Sequence, residues 1–173
     1  VNETSLTKPS SPNGISRLQA ENTWLSFSNK NNFPLQIFRL AGIYSNEFNI
    51  LKRLQASKVQ IVDKKNHFFS RIHVDDIANI LFKSIYNFKN NEIYNICDDK
   101  PAPQSEVAVY GAKLLKVEKP NSVKPEEVQS EMLKNFYKDS KKVDNKKMKA
   151  FFKYDLRFPT YVEGLNYIIN NNI

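Results

Sequence analysis

The stretch HFFSRIHVDDIANILFKSI, residues 67–85, gathers His67, Arg71, His73, Asp75 and Asp76, side chains that can bind a metal, carry a proton or hold an anion. His67 and His73 are the chain's two histidines, and they stand six residues apart in an extended run. Their side chains therefore leave the same face but lie well apart along it. A two-histidine metal site uses a helical i, i+4 pair or a shorter spacing, together with a third ligand. No metal is expected here. The aspartates stand where an extended run gives way to a helical period. Asp75 or Asp76 is expected to cap that helix by accepting from its first free N–H groups, a contribution of about 1 kcal/mol.

Positioning these groups requires a folded core, and the composition provides one. Hydrophobic residues make up 40% and aromatics 12% of the 173 residues, which argues against disorder. No apolar run is long enough to span a bilayer, and VNETSLTKPSSPNG carries no signal-peptide core, so a soluble protein is expected. Cys97 is the single cysteine; it cannot form an internal disulfide, and it suits a reducing, cytoplasmic setting. It reads as a small buried apolar residue. Lys and Arg exceed Asp and Glu by 26 − 18, a net +8. Most of these lysines are scattered singly and read as a solvated surface.

Alternation of buried strands and helices organises the chain. Ser11 and Pro12 mark the start of a helix through NGISRLQAENTWLSFSN, with Ile15, Leu18, Trp24 and Leu25 on an uneven apolar face. LQIFRLAGIY reads as one buried strand, EFNILKRLQAS as a short helix and KVQIV as a short strand. HFFSRIHV is extended, DDIANILFKSIYNF helical, NEIYNICDD a buried strand and APQSEVAVYGAKLLKV its following helix. This is the pattern of a parallel α/β sheet. Three more helices are expected in KPEEVQSEMLKNFYKD, VDNKKMKAFFKYDL and TYVEGLNYII, with a short extended piece at YDLRF and a Thr160–Glu163 capping box.

Several segments, taken in order, carry a resemblance. FSRIHVDDIANIL is similar to the F-I-H-V-D-D-V-A segment of the extended short-chain dehydrogenase/reductase family, the NAD(P)-dependent epimerases and dehydratases of nucleotide sugars. FRLAGIYS is similar to that family's R-L-x-N-V-Y-G strand end, and EIYNICDDKPAP to its x-Y-N-V-G strand and loop. RLQAENTWL before them and FPTYVEGL after them make the set resemble the nucleoside-diphosphate-sugar epimerase branch.

The resemblance implies an α/β fold: the late strands of a Rossmann-like doubly wound parallel sheet plus a small helical C-terminal substrate lobe. Residues 1–116 would form the later part of the Rossmann-like domain and residues 117–173 the lobe and C-terminal segment. It places Val1 just after the fifth strand, so the first Rossmann half, with its glycine-rich turn, is expected upstream. With four glycines, nothing in these residues fits Gly-x-x-Gly-x-x-Gly. The implied cofactor is NAD or NADP in the full-length protein, with no tight binding to these residues alone. The implied partners are a nucleotide sugar and, through the opening helix, a second copy; self-association is expected.

The family's Tyr-x-x-x-Lys pair falls on Asn13 and Arg17. Arg17 keeps forked donors for ribose or phosphate. Asn13 cannot accept a proton, which keeps open a second reading: a non-catalytic dinucleotide-binding or regulatory protein on the same scaffold. Ala41, Gly42, Ile43 and Tyr44 correspond to the loop beside the nicotinamide and substrate, with Gly42 where many epimerases carry asparagine. Asn49 matches a branch asparagine that holds the loop or a substrate hydroxyl; a helix N-cap is the competing role. Arg71 and His73 fall on the strand facing the substrate cleft, Arg71 as the phosphate contact, while His73 is expected to make a buried structural hydrogen bond.

Lys138, Lys141, Lys142, Lys146, Lys147 and Lys149 cluster among Phe136, Tyr137, Phe151 and Phe152, the composition of a single-strand nucleic-acid surface. Helical spacing instead places Met148, Phe151 and Phe152 on a core face and the lysines outward. No nucleic-acid partner is expected.

Overall fold

A computed structural model describes residues 1–172. The opening helix α1, Pro12–Asn31, begins where the sequence places it, with the Ser11 hydroxyl accepting from Gly14 N. Its apolar residues do not find a core: Trp24 is 53% and Phe27 47% exposed, and Ser28 is the buried residue of the helix. Polar contacts hold it instead. Glu21 takes two hydrogen bonds from Arg39, at 2.9 and 2.5 Å, and the Ser28 hydroxyl bonds Asn91.

The run 35–44, expected as one strand, is two. β1, Gln36–Leu40, pairs in parallel with β5, Glu92–Ile96; β2, Gly42–Tyr44, pairs in parallel with β4, Arg71–His73. The change of neighbour falls at Ala41, whose N–H donates to Ile96 O while the next N–H, of Gly42, donates to Ser70 O. β1 is only half-buried, because its edge opposite β5 pairs with no strand among the described residues. β3, Ile61–Val62, pairs with β6, Ser122–Val123.

The crossover helices follow the expected order: α2, Ile50–Gln55, α3, Val74–Tyr86, and α4, Gln104–Leu115. The first of the three C-terminal helical regions expected, 124–139, holds a 3-10 turn, Pro125–Glu127, and the short α5, Glu131–Phe136; the other two are α6, Lys146–Phe152, and α7, Tyr161–Asn172. YDLRF forms no strand; it is a loop, because its backbone N–H groups at 157 and 158 are taken by a side chain rather than by a sheet neighbour.

Two main cores result. One joins α2, α4 and α7 through Leu51, Leu54, Ala108, Leu165 and Ile168. Its helices approach closely at Gly111, where a Cβ would meet Leu54, Ile50 and Leu51 at 3.0–3.2 Å. The other packs α3 and α6 on β4 and β5 through Ile72, Ile80, Tyr94, Met148 and Phe152. A smaller cluster of Val62, Val128 and Tyr137 lies beside them. Met148 and Phe152 are buried as expected; of the outward lysines, Lys147 pairs with Glu92 and Lys149 with Asp99. Among the described residues, no helix is long and apolar enough to cross a membrane.

Candidate functional site

The C-terminal ends of parallel strands are where open α/β sheets hold ligands. Here the segments that follow β2 and β5 bring Asn49 and Gln104 to a cleft of about 550 Å³ whose walls also include Gly42, Ile43, Arg71 and Phe136. A second groove runs between α1 and the open edge of β1 and is lined by Arg17, Ala41, Gly42 and Ile43. Gly42 and Ile43 line both, so the two cavities meet there. Four of the sequence-derived site residues are thus brought together on the groove side. Asn13, exposed one turn before Arg17, lines neither cavity.

Arg71 is 9% exposed. Its Nη1 donates to the carbonyls of Phe69 and Ala102, each at 3.0 Å, and its Nη2 donates to Gln104 Oε1 at 2.9 Å. Phe69 and Ala102 are themselves joined by an antiparallel bridge, so the guanidinium is seated on a rigid pair of backbones. A guanidinium carries five N–H donors, and these bonds leave two. All the acceptors are neutral, and no carboxylate lies within ion-pair distance of Arg71 among the described residues. Buried charges are normally paired. The buried carboxyl of Asp98 acts on Arg71 through space without bonding it, so the spare donors in the cleft wall can receive an anion.

The remaining candidates have structural duties. Asn49 caps α2, its Oδ1 accepting from Lys52 N at 3.0 Å, and its Nδ2 donates to Ser45 O and Asn46 O. It also lines the cleft. The Tyr44 hydroxyl points away, under α7: a Cβ at Gly164 would lie 2.0 Å from it, so only glycine fits there. Burial raises the Tyr44 pKa, with Asp98 adding to the effect, and this excludes the tyrosinate form at neutral pH.

His73 does not reach the cleft. It is buried between Tyr44 and Phe158, with ring centroids 5.0 and 4.2 Å away. Its Nδ1 accepts from Asp75 N at 3.2 Å, which makes His73, and neither aspartate, the N-cap of α3. The aspartates are the second and third helical residues, too far into the first turn to cap it. Asp76 instead turns inward and accepts from Tyr154 Oη at 2.7 Å, Arg157 N at 2.7 Å and Phe158 N at 3.1 Å. Asp75 pairs with Arg157 at 3.2 Å. His67 lies elsewhere, its Nε2 2.9 Å from Tyr137 O, and among the described residues no cluster of His, Cys, Asp or Glu could hold a metal. Cys97 is buried, and burial pushes its thiol up to about 12.

Gln104 and the Glu21–Arg39 clamp had no role in the sequence reading. A signal for Gln104 existed: KPAPQ follows β5 and opens α4, the strand-to-helix turn where such sheets hold ligands.

No family model and no curated protein matches the chain. Solved structures do. A functionally unknown conserved protein from Silicibacter pomeroyi is 33% identical with a TM-score of 0.93, over 99% of this chain and 60% of that one. UDP-glucose 4-epimerase from Thermotoga maritima, solved with UDP-glucose, is 17% identical with a TM-score of 0.80, over 98% of this chain and 56% of that one. dTDP-glucose 4,6-dehydratase from Bacillus anthracis, in complex with NAD, is 18% identical with a TM-score of 0.75, over 97% of this chain and 53% of that one. The fold is therefore that of the C-terminal part of the NAD-dependent nucleotide-sugar epimerases and dehydratases, the extended short-chain dehydrogenase/reductase fold. This chain spans about 60% or less of the length of these neighbours.

Proposed function

We propose that the chain forms the substrate side of a NAD(P)-dependent nucleotide-sugar epimerase- or dehydratase-like protein of the cytoplasm, with Arg71 as the receptor for the substrate's phosphate. One observation carries this reading: a buried guanidinium with no direct ion pair among the described residues and two donors to spare, in the wall of a cleft. Asn49 is placed to meet a substrate hydroxyl only through groups its own capping duties already use. NAD or NADP, when bound, supplies the hydride acceptor for transient oxidation of the sugar. Toward it the chain offers Arg17, on the groove that meets the cleft at Gly42 and Ile43.

Asn13 supports a second reading. A carboxamide has no useful basicity, so a protein relying on this position binds dinucleotide and sugar nucleotide without oxidising them. Titration of the chain with UDP-glucose tests the shared part of both readings. Arg71→Gln is expected to weaken binding at least tenfold, in line with loss of charge-assisted hydrogen bonds worth about 1.5–3 kcal/mol. Equal binding by parent and variant would remove Arg71 from the site. The same titration with NAD is expected to show no micromolar binding.

The open edge of β1 and the exposed Trp24 and Phe27 of α1 are, in this proposal, covered by the cofactor half, or by a second copy when that half is missing. Light scattering on these 173 residues is expected to show self-association rising with concentration. A monomer throughout the range would count against it.

A further inference from the structure

Arg71 could have been held by a carboxylate, the usual partner of a buried guanidinium. It is held by Gln104, whose Oε1 takes one Nη2 hydrogen at 2.9 Å from the first residue of α4. Gln104 also lines the cleft, so this hydrogen bond lies at the surface a ligand would touch. A carboxamide fixes the plane of the fork without cancelling its charge. A glutamate of the same shape would fix it as well and spend the charge on an internal pair.

Resting on the reading of Arg71 above, we infer that Gln104 is a positioning residue for anion recognition, one that orients the Arg71 fork without engaging it in a direct ion pair. The ligand chemistry is a phosphate or diphosphate, free or carried by a nucleotide sugar. The two carbonyls of Phe69 and Ala102 hold Nη1 in place, so Gln104 is the side chain that decides the rotation of the remaining donors.

The test is calorimetric titration of the chain and its variants with inorganic pyrophosphate and with UDP-glucose, each protein's thermal midpoint being measured alongside. Gln104→Glu is expected to keep or raise the midpoint and to weaken binding of both anions at least tenfold. Gln104→Ala is expected to weaken binding about three- to tenfold through loss of orientation. If Gln104 only braced the fold, Gln104→Glu would bind as the parent does, and that result overturns the inference whether or not Gln104→Ala folds. Failure of the Arg71 reading looks different: neither anion binds the parent, or Arg71→Gln binds as the parent does, and the inference falls with it. Tighter binding of UDP-glucose than of pyrophosphate identifies a nucleotide sugar as the source of the anion; equal binding identifies a free diphosphate.

Discussion

Asp76→Ala is expected to destabilise the protein by about 3–5 kcal/mol, by leaving three neutral donors without their shared acceptor. Asp76 is fully buried at the first turn of α3, and its carboxylate is the acceptor for Tyr154 Oη and for the backbone N–H groups of Arg157 and Phe158. Deleting it strands these donors where water does not reach, and each orphan costs about 1–3 kcal/mol. The damage would spread beyond α3, since the loop 154–158 places Phe158 against His73 and leads into α7. Urea unfolding gives the free energy, and the thermal midpoint should drop by roughly 10 °C or more for a chain of this size. Asp75→Ala is the control: its carboxylate is over a third exposed, pairs at the surface with Arg157 and lies 3.8 Å from His73 Nδ1, so little change is expected while His73 is neutral. A cost for Asp76→Ala as small as that control would show that the loop is held by other contacts.

The second large effect is a pH dependence centred on Asp98. This residue lies two positions past β5 at 1% exposure; its Oδ1 accepts from Lys100 N at 3.3 Å, and its Oδ2 has no partner among the described residues. Burial pushes its carboxyl up to about 7, against the pull of nearby Arg71. A carboxyl raised in the folded state stabilises fully below its unfolded pKa of about 3.9 and loses that contribution as pH rises through the folded value. Stability should therefore fall from about pH 4 to pH 7 on this account. The histidines work in the opposite sense. Burial lowers both His67 and His73, so their contribution is complete above about 6.5 and is lost as pH falls below it. Asp98→Asn keeps the acceptor for Lys100 N and removes the charge. It is expected to be more stable than the parent above pH 7, on the order of 3 kcal/mol, with the acid side governed by the histidines and by the carboxylates that the fold holds low, Glu92, Glu106, Asp139 and Glu163. Parallel stability–pH curves for parent and variant would mean that Asp98 is ionised without penalty.

Much of the fold was legible in the residues, because it rests on local chemistry. Ser11 and Pro12 start α1 through contacts within one turn, and Asn49 caps α2 in the same way. The apolar strands β1 and β5 and the helix period of residues 77–85 announce a parallel α/β sheet, and helical spacing alone turns Met148 and Phe152 inward and the lysines of α6 outward. The resemblance then supplied the positions of Arg17, Gly42 and Arg71.

What the residues by themselves did not determine is which partner each polar group meets. Asp75 and Asp76 are adjacent and chemically identical, yet one is a surface partner of Arg157 and the other the buried acceptor for a loop about 80 positions later. LQIFRLAGIY reads as one strand, and only the arrival of β4 at Gly42 divides it. His73 faces away from the cleft because Phe158 and Tyr44 enclose it, and Tyr44 itself is fixed by the missing side chain of Gly164. Above all, Arg71 is a buried cation without a direct ion pair because the chain brings the neutral acceptors of Phe69, Ala102 and Gln104 to its nitrogens and leaves Asp98 near but not bonded. Periodicity sets the face a side chain takes, from neighbours three or four residues away. The counter-ion it meets, or lacks, depends on segments that only the packed structure brings together.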